Sequence, residues 1–135
     1  MSPWNEKTWY KGDFHTHTRL SDGKETLENA MKKAVDMGMD FYVPTEHNLM
    51  HTGWSDTSLL ILPGIEVTTD KGHMNLFGIT RMPRRILDIV DPQREEIVDR
   101  YMEETIQEAK ENHWITSINH PFLRYGNGVM IRQTV

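Results

Sequence analysis

Residues 13–23 read DFHTHTRLSDG, and whether they close a strand or lie in a loop decides how the rest of the chain is read. In a strand, His15 and His17 are two apart and project to one side. A strand that only packed a core would need no such pair. The reading taken here is a strand over YKGDFHTHT (10–18) with its polar end at the histidines. An amphipathic helix follows over ETLENAMKKAVDMG (25–38): Leu27, Ala30, Met31, Ala34, Val35 and Met37 keep helical spacing, Thr26 is the N-cap and Gly38 the stop.

Outward from that unit the alternation continues. DFYVPTEHN (40–48) is a short strand running into a loop, and SLLILPGIEVTT (58–69) reads as one apolar strand. DKG (70–72) turns the chain into HMNLFGI (73–79). A second helix is expected from Asp91 to Asn112, with Asp91 as cap, Pro92 in its first turn, and an apolar stripe of Ile97, Val98, Tyr101, Met102, Ile106 and Ala109. WITSINHPF (114–122) is a fifth strand, and the tail after it carries no assignable pattern. Strands separated by helices predict an α/β sheet or incomplete barrel, with the polar clusters at the C-terminal ends of strands, where sites in such folds form.

Composition narrows the chemistry. The 135 residues suit one domain, and a net charge of −5 argues against a nucleic-acid surface; the cluster RMPRR (81–85) is too short to change that. With no cysteine, disulfides and thiolate sites are excluded, so any metal must take nitrogen and oxygen ligands. The N-terminus has no signal-type apolar core, and the longest apolar run, LLIL (59–62), cannot span a bilayer. A cytoplasmic protein with no membrane partner is the expectation.

His15, His17, Asp22, Glu46, His47, Glu66, His73, Asn119 and His120 gather at the expected strand ends and include five of the seven histidines. Imidazoles and carboxylates suit zinc, manganese or iron. Taken singly each has a plainer reading: His-x-His as a polar face, TEHN as a turn, INHPF as a core histidine before a rigid proline. Glu66 ends a nearly continuous apolar strand, and a buried carboxylate needs a partner. The plain readings together demand five coincidences at one edge, so a metal site is the stronger reading. His51, in a polar loop, and His113, in the last turn of a helix, stay outside it as structural or solvated residues. GWSDT (53–57) lacks the final glycine of a nucleophile elbow, YGNG is too short for a phosphate loop, and the helical methionines read as core.

In this order, HTHTRLSDG, TEHN, PGIEVTT, GHMNLFGI and INHPF resemble the motifs of the PHP (polymerase and histidinol phosphatase) superfamily, with PGIEVTT, GHMNLFGI and SINHPF most similar to its carbaryl-hydrolase-like subgroup. The resemblance covers about residues 9 to 123. It implies a distorted seven-stranded α/β barrel of which about five strands are present, and up to three divalent metals. His15, His17 and Glu66 would hold the first, Asp22 and His47 the second, and Glu66 with His73 and His120 the third. Glu46 would orient its neighbours beside the ligands, and Asn119 would place the His120 loop. The family's closing Asp-x-His motif has no match after His120, so residues 1–135 are expected to be a single PHP-like metallohydrolase domain, incomplete at its C-terminus.

The implied activity is hydrolysis by metal-activated water, with a small phosphoester as the substrate class. A carboxylic or carbamic ester hydrolase is the alternative from the subgroup, and a non-catalytic metal-binding domain the alternative of another class. Glu46, Arg19 and Arg124 are the candidate catalytic positions. The two arginines adjoin motif residues and could meet a phosphate or carboxylate, although surface arginines are more often merely solvated.

Overall fold

The structure, a computed structural model, describes residues 9–69, 72–85 and 95–121, the first turns of the second helix by backbone alone. The order is β1 (Gly12–Thr16), α1 (Leu27–Asp36), β2 (Phe41–Pro44), β3 (Leu60–Ile61), β4 (Gly64–Thr69), β5 (Gly72–Phe77), α2 (Glu95–Glu111) and β6 (Ile115–Asn119). The α/β class holds.

The first half follows the sequence closely. Strands β1, β2 and β3 pair in parallel in that order, which requires crossovers; α1 supplies the one from β1 to β2, and the connection over 45–59 supplies the one from β2 to β3. Thr26 caps α1, its hydroxyl accepting from the Asn29 amide at 3.2 Å. At the other end the amides of Met37, Gly38 and Met39 return to carbonyls of the last turn, with Gly38 at φ 69, a left-handed stop that glycine adopts without penalty. Met31 and Ala34 pack on Tyr42, Leu59 and Ile61, flanked by Leu27, Ala30 and Met39. Val35 and Met37, expected in the stripe, sit at its margins and are exposed.

The expected strand over 58–69 is two strands in different sheets. Pro63 has no amide to donate and a fixed φ, so the ladder breaks there. Its second half, β4, pairs antiparallel with β5, and β5 pairs antiparallel with β6. Gly64 marks the turn-in: a Cβ there would lie 2.7 Å from Val43 Cγ1 and 3.2 Å from two backbone oxygens. The sheets are stitched where the chain after β2 meets β4: the Glu66 amide donates to the Glu46 carbonyl at 3.0 Å, and the Asn48 amide to the Glu66 carbonyl at 2.9 Å. Among the described residues there are six strands, and they do not close into a barrel.

Helix α2 covers the second sheet. Ile65, Val67, Met74, Leu76 and Ile79 form a core with Ala109 and Trp114, and Tyr101, Met102 and Ile106 pack against it. Each fully buried aliphatic side chain contributes about 1.5–3 kcal/mol. The expected Asp91 cap and Pro92 lie outside the described residues. The basic cluster is a staple: Arg81 and Glu108 pair, Arg85 Nε donates to Glu104 at 2.7 Å, and Arg81 lies over the Trp114 ring at 5.1 Å. None of the helices among the described residues is long and apolar enough to cross a membrane.

Candidate metal centre

The site forms where the two sheets are stitched. Glu66 is its middle. It was expected to end a strand, yet it is the third residue of β4, because the strand starts afresh at Gly64, and its side chain is 0% exposed. Its Oε2 lies 3.1 Å from His15 Nε2, 3.0 Å from His17 Nε2 and 3.3 Å from His47 Nδ1. Its Oε1 lies 3.0 Å from His73 Nδ1, 2.9 Å from Asn119 Nδ2 and 3.3 Å from His120 Nε2. Five imidazoles therefore surround one carboxylate.

Each arrives by its own local route. His15 and His17 come from β1 and the residue after it, their Nε2 atoms 3.1 Å apart. His47 follows β2 and stacks on His17, with ring centroids 4.3 Å apart. His73 corrects the expectation that every polar cluster sits at a strand's C-terminal end: it is the second residue of β5, and it reaches the site because β5 runs antiparallel to β4, opposite Thr68. His120 follows β6 in a left-handed conformation at φ 28, a strained backbone that surrounding structure must hold. Asp22, from the β1–α1 turn, closes the cluster on the solvent side, 3.3 Å from His47 Nε2 and 3.7 Å from His17 Nδ1.

The electrostatics set the protonation state. Burial alone would raise the Glu66 carboxyl, but hydrogen bonds from His73, Asn119 and His15 outweigh it and hold the group well below the usual carboxylate range. Burial, then the charge of neighbouring His47, lowers His17. An imidazole in its neutral form keeps one ring lone pair, the form in which histidine ligates a metal.

These residues fit a metal. The Nδ1 of His17 is buried without a hydrogen-bond partner, and such an atom needs an explanation. His15, His17 and Glu66, then His17, Asp22 and His47, then His47, Glu66 and His73 each bring one donor atom within 4.8 Å of the others. Separations near 3.0–3.7 Å match donors that share an ion about 2.0–2.2 Å away. All seven residues expected as ligands, His15, His17, Asp22, His47, Glu66, His73 and His120, thus meet at one place.

The candidate catalytic positions fare differently. Glu46 is 0% exposed, and its carboxylate is bonded by Thr18, Ser21 and His51. It accepts from the Thr18 amide at 2.9 Å, from the hydroxyls of Thr18 and Ser21, and from His51 Nε2 at 2.9 Å. Burial would raise its carboxyl; bonds from Ser21, Thr18 and His51 pull it below its ordinary value. Arg19 is exposed on the β1–α1 turn, its Nε donating to the Lys24 carbonyl at 2.8 Å. Arg124 lies outside the described residues.

Four contacts were not foreseen. His51, read as structural or solvated, is structural, packed against Glu46. Thr68 bonds His47 Nδ1 at 2.6 Å and so orients that ring; its place two residues after Glu66, on the same face of β4, was the available signal. Asn75 accepts from Asn119 Nδ2 at 2.7 Å, steadying the donor that holds Glu66. Asn119 therefore acts on Glu66 itself. Asn48 replaces strand pairing with its side chain, donating to the Thr68 carbonyl at 3.0 Å and accepting from its amide at 2.8 Å. His113 lies exposed beyond α2, apart from the cluster.

No family model matches the chain, and no curated protein matches it. Among solved structures its fold is similar to a two-domain protein from Bacteroides vulgatus ATCC 8482 containing a predicted PHP-like metal-dependent phosphoesterase, with a TM-score of 0.64 and 22% identity. The match covers 92% of this chain and 38% of that one, so the chain spans little more than a third of the neighbour's length.

Proposed function

We propose that the chain carries the metal centre of a PHP-type hydrolase acting on phosphoesters. The observation that carries the reading is the convergence of five imidazoles on the two oxygens of buried Glu66. The ordered motifs support the reaction class, and so does the likeness in fold to a protein containing a predicted PHP-like metal-dependent phosphoesterase.

Two or three divalent ions, zinc, manganese or iron, would be held by His15, His17 and Glu66, by Asp22 and His47, and by Glu66 with His73 and His120. Such ions polarise a phosphoryl oxygen and bring the pKa of water to near neutrality. The chain's own part is to keep the donors ready. Glu66 stays ionised and offers one oxygen to each side of the cluster. Thr68 turns His47, and Asn119, held by Asn75, fixes Glu66 Oε1. Asp22 supplies the solvent-facing carboxylate, and Glu46 holds its turn. Arg19 and Arg124 are assigned to the phosphate oxygens. With no cysteine in the sequence, a thiol nucleophile is excluded.

The test is metal content per chain after purification without chelator, together with turnover of aryl phosphomonoesters and phosphodiesters beside a carboxyl ester. Two or three equivalents and phosphoester turnover, both lost in Glu66→Gln, are expected. Turnover of the carboxyl ester alone would move the reading to an ester hydrolase. Bound metal without turnover would leave a metal-binding domain, and no bound metal would end the proposal.

A further inference from the structure

We infer that His51 is a positioning residue for this centre: through Glu46 it fixes the Thr18–Gly23 turn, and with it the carboxylate of Asp22. The inference rests on the metal-centre reading above.

Asp22 is the one proposed ligand whose side chain is mostly in solvent, 67% exposed, against 0% for Glu66 and 10–34% for the five histidines. Packing does not hold such a carboxylate, so its place follows from its backbone. That backbone is a tight turn in which the Ser21 and Gly23 amides both donate to the Thr18 carbonyl, at 3.1 and 2.8 Å. Gly23 has no room for a side chain, since a Cβ there would lie 2.1 Å from the His17 carbonyl oxygen. The turn's buried attachment is Glu46, which takes the Thr18 amide, the Thr18 hydroxyl and the Ser21 hydroxyl.

A carboxylate buried at that depth is held only while its oxygens are satisfied. Three of its donors come from the turn itself. The fourth is His51 Nε2, 2.9 Å from Glu46 Oε1 and 3.1 Å from Thr18 Oγ1. Because a carboxylate only accepts, Nε2 carries the hydrogen. His51 lies in the long connection between β2 and β3, so it clamps Glu46 and the turn from a separate segment. Without that clamp the turn has to supply every donor, and Asp22 loses its fixed distance to His47.

The experiment is zinc titration of the metal-free full chain by calorimetry, for wild type, His51→Leu, His51→Gln, Asp22→Ala and the double variant His51→Leu/Asp22→Ala. Loss of an outer partner of a metal ligand weakens binding about 10- to 100-fold, and that weakening is expected in His51→Leu. His51→Gln, which keeps a donor, should recover part of it. In the Asp22→Ala background His51→Leu should add nothing, because the two changes remove one ligand. Ser21→Ala, which cuts the turn from Glu46 without touching His51, should copy His51→Leu and serves if that variant does not fold. A wild-type isotherm for His51→Leu or Ser21→Ala, or equal weakening with and without Asp22, would overturn the inference while leaving the metal centre standing. Failure of the wild type to bind zinc, manganese or iron would overturn both.

Discussion

His15 and Glu66 are 51 positions apart in the chain, and Nε2 of the one lies 3.1 Å from Oε2 of the other. Their meeting depends on β1 and β4, strands of different sheets, being brought together by the short parallel contact between His47 and Glu66. The centre is therefore also a tie between the two halves of the fold.

Replacing Glu66 by Gln removes a charge that faces both sides of the cluster. Metal content should fall below one equivalent per chain. In the metal-free protein the loss of charged hydrogen bonds should cost about 1.5–3 kcal/mol, read as a lower urea midpoint with unchanged slope.

Metal binding should stabilise the fold, because the donors are assembled only in the native state. At a free metal concentration a hundred times Kd the gain is about 2.7 kcal/mol. Chelation should lower the melting temperature and readdition of zinc or manganese restore it. A melting temperature indifferent to both would falsify the metal centre.

Acid should unfold the metal-free protein through its buried carboxylates. Glu46 and Glu66 both titrate below their ordinary value in the fold, whereas the unfolded chain takes up protons near the ordinary glutamate value of about 4.3. Their contribution is complete above that pH and is lost as the pH falls below it. Urea midpoints measured from pH 6 to pH 3 should drop, and the drop should be shallower in Glu66→Gln.

Asn48 sits at φ 53 and bonds both backbone groups of Thr68. Asn48→Ala loses those bonds and meets the left-handed penalty of about 1–2 kcal/mol. Asn48→Gly avoids the penalty and should be the more stable of the two by thermal unfolding.

What was legible in the chain was local. Thr26 and Gly38 delimit α1 because capping and left-handed stops are decided within a few residues. The apolar stripe of α2 follows from helical periodicity. The candidate ligands were legible as a set because chemistry, unlike contact, is carried by residue type: histidines and carboxylates in a chain without cysteine.

The tertiary structure decided the rest, and the reason is pairing direction. Nothing within residues 58–69 says that Pro63 sends Leu60 and Glu66 into different sheets. Nor does GHMNLFGI say that β5 runs antiparallel, which is why His73 serves the site from a strand's beginning. His51 was passed over because a histidine in a polar loop looks the same whether its Nε2 meets water or Glu46. The sequence by itself determined the two helices with their apolar stripes and the donor types. Which oxygen of Glu66 faces which imidazole, and which segment holds Asp22, belonged to the assembled fold, because strand pairing and burial are settled between residues far apart in the chain.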